Sequence, residues 1–327
     1  MKSSTIRTFA VCIFTAALFL FTLYAALDTF VIERVFETVG DEHGTGVSGL
    51  KLGGAAETEE DREDTAEETA EEGVQAPDTL QTPAVPVVTD SEYRDANTHI
   101  VITRYREYGT DIYVADVTLS GISSLKTAFA KNSYGRNVTA STSDTAEANG
   151  AVLAINGDYY GSRERGYVLR NGRLYRSSGT SGQEDLVIYS DGSFSVIDEG
   201  KVSAKQLLDR GALQVFSFGP GLVSGGEITV GLNDEVGKAM ASNPRTAIGM
   251  IEPLHYLFVV SDGRTAGSEG LSLYELAEFM KGLGCSVAYN LDGGGSSTIY
   301  FNGEVLNKTT TNGWKISERK VSDIVYV

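Results

Sequence analysis

The sequence predicts an α+β protein: a mixed, strand-rich single domain with at least one βαβ crossover near its C-terminus, preceded by a membrane anchor and a disordered stalk. Three observations predict this order. Residues 8–27 are uncharged and apolar, residues 40–90 are rich in Gly, Glu, Thr, Ala and Pro without any Phe, Trp or Tyr, and short apolar runs separated by turn signals fill the rest. We expect an anchor over residues 1–35, an acidic flexible stalk over 36–91 and a globular domain over 92–327.

The N-terminal segment Thr8–Leu27 is long enough to span a bilayer, which takes about twenty apolar residues. Lys2 and Arg7 precede it, and Asp28 and Glu33 follow it. This asymmetry predicts a cytoplasmic N-terminus and a single-pass protein of the cell membrane whose C-terminal domain lies outside. A cleaved signal peptide is the alternative. The apolar run is longer than a usual signal core and no small-x-small cleavage site follows it, so we expect an uncleaved signal anchor.

The stalk carries much of the negative charge. The formal net charge of the chain is −17, and Arg62 is the one basic residue between Glu57 and Glu72. Such a segment buries too little apolar surface to offset its ordering entropy, and repulsion between like charges extends it. Its expected role is to hold the globular domain away from the membrane. An acidic chain also offers no electrostatic surface to nucleic acid, so no nucleic-acid partner is expected.

The cysteines and histidines of the sequence predict neither an internal disulfide nor a zinc site in the outer domain. Cys12 lies in the apolar segment and Cys285 is the other cysteine, so the outer domain has no internal disulfide to form. His43, His99 and His255 stand outside every motif and make no zinc pattern. A divalent cation such as Ca²⁺ or Mg²⁺ stays open as a cofactor, because several Asp and Asn oxygens are expected at one edge, although no EF-hand spacing is present.

Strands dominate the first half of the globular domain. Apolar runs separated by short turns with glycine in the second position are typical of hairpins. The predicted turns are Tyr108–Asp111, between the runs Ile100–Tyr105 and Ile112–Leu119, and the Asn-Gly or Asp-Gly pairs at 171–172, 191–192 and 302–303. Two short helices are expected at Asp144–Asn149 and Ala204–Arg210, each followed by a glycine that ends it.

The clearest helix signal is Leu273–Lys281, which starts in the capping box Ser272–Glu275 and stops at Gly282. The apolar runs Tyr256–Val260 and Ser286–Leu291 flank this helix. The order strand, helix, strand predicts a crossover unit with parallel strands.

Two carboxylates end the strands of this crossover. Asp262 follows the first strand and Asp292 ends the second. Parallel strands present their carboxyl ends at one edge of a sheet, and ligands bind outside that edge. We therefore expect Asp262 and Asp292 to meet at one cleft.

Three glycines follow Asp292. Gly293, Gly294 and Gly295 tolerate positive φ values, so successive backbone N–H groups are able to form an anion-binding nest. Ser296 and Ser297 add two hydroxyl donors. The alternative is a tight turn between two strands, and the flanking Asp and Ser pair favour a functional role.

Two further segments have the same character. The apolar run Ala151–Ile155 leads into Asn156-Gly157-Asp158-Tyr159-Tyr160, for which the alternative is an Asn-Gly turn with packed tyrosines. Pro244-Arg245-Thr246 begins another strand. A solvated Arg245 is the alternative there, although arginine is suited to bidentate recognition of phosphate.

Taken in order, the segments Asn156–Tyr160, Pro244–Gly249, Asp262–Arg264 and Asn290–Ser297 resemble the motifs of the phosphodiester glycosidase family, also called the NAGPA domain. The resemblance covers roughly residues 145–325 and is to bacterial members of the exopolysaccharide-biosynthesis type. There is one departure: the family's first motif often reads Asn-Gly-Gly, and Asp158 replaces the second glycine here.

The resemblance implies an extracytoplasmic, membrane-anchored hydrolase that cleaves the anomeric bond of sugar-1-phosphodiesters in cell-envelope or exopolysaccharide metabolism. Phosphate is a good leaving group, so such a site needs cations and N–H donors for the phosphate and a carboxylate for the sugar. The implied catalytic residues are Asp262, Asp292 and Asp158. The implied substrate-binding residues are Asn156, Arg245, Arg264, Asn290, Gly293, Gly294, Gly295, Ser296 and Ser297.

Two other classes of function stay open. A non-catalytic module that binds phosphoglycans would not need both central carboxylates, and both are present. A polysaccharide assembly factor would use the membrane segment as its working part, but the segment's polar residues Thr15, Thr22 and Tyr24 are only mildly polar. Sugar release from a panel of glycosyl-1-phosphodiesters separates an enzyme from both alternatives.

Overall fold

The computed structural model describes residues 2–39, 86–236 and 242–327. The helices of these ranges are α1 Lys2–Phe30, α2 Thr142–Ala148, α3 Ala204–Asp209 and α4 Leu273–Gly282. The strands are β1 Arg34–Thr38, β2 Val87–Val88, β3 Glu92–Arg94, β4 Thr98–Glu107, β5 Thr110–Leu119, β6 Lys126–Phe129, β7 Ser133–Arg136, β8 Leu153–Asn156, β9 Val168–Arg170, β10 Arg173–Arg176, β11 Glu184–Tyr189, β12 Phe194–Asp198, β13 Ala212–Phe216, β14 Gly221–Ser224, β15 Glu227–Ile228, β16 Thr246–Glu252, β17 His255–Ser261, β18 Val287–Asn290, β19 Ile299–Phe301, β20 Glu304–Val305 and β21 Asp323–Tyr326.

Helix α1 contains a stretch, Cys12–Phe30, that is long and apolar enough to cross a membrane. Its large apolar side chains are exposed, Phe14 and Phe19 among them. The predicted stalk falls mostly on residues 40–85, which lie outside the described residues. Its predicted start at residue 36 falls inside β1, and its predicted end at residue 91 falls directly before β3.

The strands form four antiparallel sheets. The largest has nine strands in the order β15-β14-β18-β16-β17-β5-β4-β3-β2. Two sheets have five strands each, in the orders β10-β9-β13-β11-β12 and β20-β19-β8-β21-β6, and β1 pairs with β7 alone. The predicted strand-rich α+β class is confirmed. The four predicted hairpins are present as β4–β5, β9–β10, β11–β12 and β19–β20.

The predicted crossover is present, with one strand inside it. Helix α4 connects β17 to β18, and both of these strands pair antiparallel with β16. Strands β17 and β18 therefore run in the same direction, but β16 separates them. The capping box is also present, since the Ser272 hydroxyl accepts from the Glu275 N–H at 3.2 Å and the Glu275 carboxylate accepts from the Ser272 N–H at 2.8 Å. These reciprocal bonds fix where the helix begins.

The central strands of the nine-stranded sheet are buried on both faces. In β17, Leu257 and Val259 pack on the side of α4, in a cluster that includes Leu276. Phe258 and Val260 point the other way, into a cluster built with both five-stranded sheets. Burial of each such side chain contributes about 1.5–3 kcal/mol. The central strands are thus held from two sides, which fixes the sheet edge where they end.

Buried charges join the two five-stranded sheets. Arg170 of β9 donates through Nη2 to Asp158 Oδ2 at 2.9 Å and to Asp323 Oδ2 of β21 at 2.7 Å. Burial raises the pKa of Asp323, although Arg170 opposes the rise. Asp185 of β11 is fully buried, and burial together with the neighbouring Glu199 raises its pKa to about 10. We therefore expect the folded chain to keep a proton on Asp185 at pH values where the unfolded chain has released it.

We expect Asp185→Asn to gain stability relative to the wild type as the pH rises from 5 to 9. The folded wild type keeps a proton on Asp185, whose pKa is about 10, whereas the unfolded chain loses it near pH 4. The wild type therefore loses up to about 1.4 kcal/mol of stability per pH unit from this group, and asparagine removes that loss. Urea unfolding of the detergent-solubilised chain at several pH values measures it.

The matched control is Asp209→Asn, which removes a carboxylate from an exposed ion pair with Lys205. Its stability relative to the wild type should change little with pH. A stability difference between Asp185→Asn and the wild type that stays constant from pH 5 to pH 9 would contradict the proton on Asp185.

Candidate active site

Two carboxylates and an arginine meet at one edge of the nine-stranded sheet. Asp262 follows β17, Asp292 follows β18, and Arg245 lies directly before β16 between them. The Ser261 N–H donates to Arg245 O at 2.9 Å, and the Leu291 N–H donates to Thr246 O, the next carbonyl along the chain, at 2.8 Å. The crossover thus brings Asp262 and Asp292 to either side of the start of β16.

Glycine is required on both sides of Pro244 because the backbones approach closely. A Cβ atom on Gly263 would lie 2.5 Å from Pro244 N, and one on Gly293 would lie 2.9 Å from Pro244 O. The Gly294 N–H also donates to Pro244 O at 2.8 Å. The two Asp-Gly turns therefore pack tightly against Pro244, just before β16 begins. This packing sets the positions of the adjacent Asp262 and Asp292 side chains.

Asp292 is held by a cation and a hydroxyl. Arg319 Nη2 donates to Asp292 Oδ1 at 3.1 Å and to Oδ2 at 2.9 Å, and the Ser296 hydroxyl donates to Oδ2 at 2.7 Å. Arg319 Nε donates to the same Ser296 oxygen at 2.8 Å. Burial raises the pKa of Asp292, and Arg319 and Ser296 oppose the rise. Both carboxylate oxygens are thereby oriented.

Asp262 is less constrained. Its Oδ1 accepts from the Lys308 backbone N–H at 2.7 Å. Its Oδ2 is buried and has no hydrogen-bond partner among the described residues. Burial raises the pKa of this carboxyl, and the Lys308 N–H opposes the rise. A buried carboxylate with one oxygen unsatisfied is able to accept a proton or to meet a ligand.

Arg264 completes a group of three arginines. Its Nε and Nη2 donate to Asn243 Oδ1 at 3.2 and 2.8 Å, and Nη1 donates to Thr311 O at 2.5 Å. Within the described residues it pairs with no carboxylate. Burial lowers its pKa, and so do the positive charges of Arg319 and Arg245. The guanidinium groups therefore lie close enough to repel one another.

Arg245 has a carboxylate partner in this structure. Its Nη2 donates to Glu235 Oε2 at 2.7 Å, and its Nε donates to Leu271 O at 2.8 Å. Its side chain is almost fully buried. The predicted position at the start of a strand is present, but Glu235 neutralises part of the charge that the sequence places there.

The Gly293–Gly295 segment forms a tight turn. Gly294 has φ +64°, and a Cβ atom on it would lie 3.0 Å from Arg264 Nη2. The N–H groups of Ser296 and Ser297 bond back to the carbonyls of Gly293 and Gly294. Of the glycine N–H groups that the sequence assigns to an anion nest, that of Gly294 donates to Pro244 O. The Ser297 hydroxyl is buried without a partner among the described residues.

The two predicted asparagines differ in their bonding. Asn156 donates to Asp292 O at 2.6 Å and accepts from Thr246 Oγ1 at 2.8 Å, so it links three segments of the site from behind. Asn290 donates to Gly219 O at 2.8 Å, and its Oδ1 has no partner within the described residues. Asn290 therefore keeps a free acceptor, whereas Asn156 is fully engaged.

The structure places the Asp158 side chain away from the other two carboxylates. Its Oδ1 accepts from the Tyr160 N–H at 2.9 Å, and its Oδ2 accepts from Arg170 at 2.9 Å and from the Ser217 N–H at 3.0 Å. The side chain is fully buried. Asp158 belongs to the buried charge cluster, while the backbone beside it reaches the site through a bond from the Asp292 N–H to Gly157 O at 3.3 Å.

The loop 310–318 closes one side of the site and carries residues that the sequence patterns did not indicate. Its Thr311 carbonyl binds Arg264, and a Cβ atom on Gly313 would lie 2.1 Å from Arg264 O. Trp314 at its tip is 87% exposed. Arg319 follows the loop and donates its N–H to Gly295 O at 3.0 Å. No strand end or glycine pattern marks Arg319 in the sequence.

Within residues 2–39, 86–236 and 242–327, no group of three or more His, Cys, Asp or Glu side chains is arranged to hold a metal ion.

Comparison with known proteins identifies the family. The chain belongs to the phosphodiester glycosidase (NAGPA) family, whose model matches residues 149–327. It is 30% identical over 167 residues to the SPbeta prophage-derived uncharacterized protein YomE of Bacillus subtilis (strain 168), a match that covers 50% of this chain and 26% of that protein. It is 30% identical over 209 residues to N-acetylglucosamine-1-phosphodiester alpha-N-acetylglucosaminidase of Mus musculus, covering 58% of this chain and 40% of that protein.

Among solved structures, the chain is similar to the catalytic domain of the zebrafish N-acetylglucosamine-1-phosphodiester alpha-N-acetylglucosaminidase, auto-inhibited by pro-peptide. The TM-score is 0.56 at 21% identity, over 70% of this chain and 82% of that one. This likeness shows the fold. The chain spans less than half the length of the two curated relatives named above.

We expect Arg319→Ala to raise the pKa of Asp292 further, by about one pH unit or more, because a neighbouring arginine normally lowers a carboxyl pKa. Carboxyl ¹³C NMR of Asp292 across a pH titration measures this. Arg319→Lys should keep much of the lowering, and Lys320→Ala, next along the chain, should leave the Asp292 pKa as it is. An unchanged value in Arg319→Ala would show that the ion pair does not control Asp292.

Proposed function

We propose that the globular part hydrolyses the anomeric bond of sugar-1-phosphodiesters outside the cell, and that α1 anchors it in the cell membrane. One observation carries the proposal. At a single sheet edge, two buried carboxylates lie with three arginines, of which Arg264 has no carboxylate partner among the described residues. Such a site offers charge of both signs: positive for the phosphate that leaves and negative for the sugar that reacts.

The phosphate group binds at Arg264 and Arg319, with Arg245 as the third cation. Mutual repulsion among the guanidinium groups is relieved when an anion lies between them, and arginine donates to phosphate in a bidentate manner. A buried or partly buried position strengthens these bonds relative to water. Binding at Arg245 requires the phosphate to compete with Glu235, so we assign Arg264 the larger share.

The two carboxylates act on the sugar. Glycosidases commonly use a pair of carboxyl groups, one of which exchanges a proton or attacks the anomeric carbon. We assign that role to Asp262, because its Oδ2 has no partner within the described residues and its pKa is raised by burial. Asp292 is fixed by Arg319 and Ser296, so it supplies an oriented charge that stabilises the positive charge developing on the sugar.

Sugar hydroxyls are bound by polar atoms that have no partner of their own. Ser297 Oγ and Asn290 Oδ1 are both buried and unpaired within the described residues. Buried polar atoms are normally hydrogen-bonded, so a substrate hydroxyl would satisfy them. Asn156 acts from behind, by holding the Asp292 backbone.

The relatives support the choice of reaction. The mouse protein is named for cleavage of N-acetylglucosamine-1-phosphodiesters, and this chain shares its family. A role in cell-envelope or exopolysaccharide metabolism extends the proposal to the polymer that carries the phosphodiester.

The direct experiment incubates the detergent-solubilised chain with a panel of glycosyl-1-phosphodiesters and measures free sugar. Binding of the panel without sugar release would favour a phosphoglycan-binding module instead.

We expect Asp262→Asn and Asp292→Asn each to lower kcat by about a hundredfold or more, the scale of losing an acid–base or nucleophilic group. Asparagine keeps the shape and removes the charge, so both variants should fold. Free-sugar assays and thermal unfolding of the same samples measure the two effects. Near-normal turnover in both variants would refute the proposed pair.

Asp158→Asn should behave differently, because Asp158 pairs with buried Arg170. We expect it to lower the stability of the fold by about 1–3 kcal/mol, since the variant leaves a buried charge with one partner fewer. The folded fraction should keep kcat within a few-fold of the wild type. A hundredfold loss of kcat in a variant of normal stability would place Asp158 among the reacting groups.

A further inference from the structure

The chain directly after α1 is bound to the globular part. The Asn137 side chain donates through Nδ2 to Thr29 O at 3.2 Å and to Ile32 O at 3.1 Å. The strand β1 then pairs antiparallel with β7, from Arg34 opposite Arg136 to the end of both strands. The end of the apolar helix is therefore in contact with the domain.

Side chains reinforce this pairing. Lys131 Nζ lies 2.5 Å from Glu33, and Arg173 forms an ion pair with Glu37. The rings of Phe36 and Tyr134 lie 5.8 Å apart between centroids. These contacts come from β7 and from a loop and a strand beside it, so the segment is held along its length.

Gly135 permits the close approach of β1. A Cβ atom on Gly135 would lie 2.2 Å from Arg34 O and 3.0 Å from Val35 Cα. Its φ is not in the left-handed region, so space and not backbone conformation requires glycine here. The surface of β7 is thus shaped to receive another backbone.

The short distance along the chain limits how far the domain lies from the helix. Three residues, and thus four Cα–Cα steps, separate Phe30, the end of the candidate membrane span, from Arg34 in β1. A fully extended chain of that length spans about 14 Å. The chain re-enters the same unit at β2. Both ends of the acidic segment are therefore attached to the domain, and its length does not set the distance between domain and membrane.

A series of contacts leads from β7 to the segment of the first motif. The Asn137 N–H donates to Gly161 O at 3.0 Å, and the rings of Tyr134 and Tyr160 stack at 5.5 Å. Tyr160 lies two residues after Asp158, and Gly157, the residue before Asp158, accepts from the Asp292 N–H through its carbonyl. The strand β7 thus connects the membrane-proximal contacts to the first motif of the site.

We propose that the pairing of β1 with β7 holds the domain directly at the outer face of the cell membrane, an attachment called the mooring below. We propose further that the substrate is a sugar-1-phosphodiester anchored by lipid in the same membrane. The second half rests on the proposed function. A moored site works within a thin layer next to the bilayer, so a substrate held in that layer meets it at high effective concentration. A soluble or distant substrate gains nothing from the mooring.

The mooring is tested by a disulfide in the full-length chain. Thr38 and Ser133 are paired residues of β1 and β7, and paired strand residues have Cα separations that a disulfide accepts. Thr38→Cys with Ser133→Cys, in a Cys12→Ser background, receives a protease site between Gly53 and Gly54. After oxidation and cleavage in membranes, residues 54–327 should stay disulfide-linked to residues 1–53 on a non-reducing gel and should sediment with the membrane.

The matched control pairs Thr38→Cys with Ser224→Cys, an exposed residue of β14, a strand that does not pair with β1 or β7. Mooring predicts at least tenfold faster crosslinking for the 38–133 pair. Equal rates for the two pairs, or no membrane retention of the oxidised 38–133 variant, would overturn the mooring. Crosslinking and membrane retention do not depend on activity, so they test the mooring even if the proposed reaction is wrong.

The substrate half uses N-acetylglucosaminyl phosphate esterified to a dialkylglycerol as the probe, and its methyl phosphodiester as the soluble counterpart. The full chain should release sugar at least tenfold faster when probe and protein share vesicles than when they occupy separate vesicles. Gly135→Ala should lower this preference, because α1 still anchors the variant while β1 no longer docks. It should leave turnover of the methyl ester unchanged, because Gly135 lies outside the site. Equal rates in shared and separate vesicles would refute the membrane-anchored substrate.

Discussion

The arrangement of the site depends on the entry into β16, where Pro244 is wedged between Gly263 and Gly293. The contact leaves no room for a Cβ atom on either glycine. Each of these glycines follows an aspartate at the end of a buried strand, so the wedge locks the two carboxylate-bearing turns to a single backbone. Cores on both faces of the sheet hold the same strands. Steric exclusion and apolar burial thus act together on one edge, and preorganisation of the charged groups follows from them.

Some of the charged side chains at this edge form ion pairs with one another, and others do not. Asp292 and Arg319 neutralise each other, and Glu235 neutralises Arg245, which leaves Arg264 and Asp262 with backbone and amide partners only. Two opposite charges that do not pair with each other, in a partly desolvated place, are costly to the free protein. A ligand that carries a phosphate, for Arg264, and a sugar on which positive charge develops, for Asp262, would compensate both charges.

Local sequence determines the elements of the crossover but not their neighbours. The capping box at Ser272 and the apolar runs around it predict α4, β17 and β18, because those signals are local. The insertion of β16 between the two strands follows from long-range pairing, which no window of the sequence contains.

The same limit applies to the site. Asp262, Asp292 and Asp158 each follow a buried strand in a similar pattern, and nothing near Asp158 shows that its side chain turns toward Arg170. Arg319 lies 27 positions from Asp292 in sequence and outside any regular element. The strand-end carboxylates and the glycines could be identified, since strand direction and backbone space explain them. The partners that tune these groups arise only when distant loops pack together.

Trp314 is the single tryptophan of the chain, and it stands at the tip of a loop whose base contacts both Arg264 and Gly295. An indole that is almost fully exposed emits as it does in water, and any group that settles nearby alters that environment. The molecule consequently carries its own optical probe beside the arginine group. We therefore expect tryptophan emission to change when a ligand binds at this edge, and no second indole elsewhere in the chain contributes to the signal.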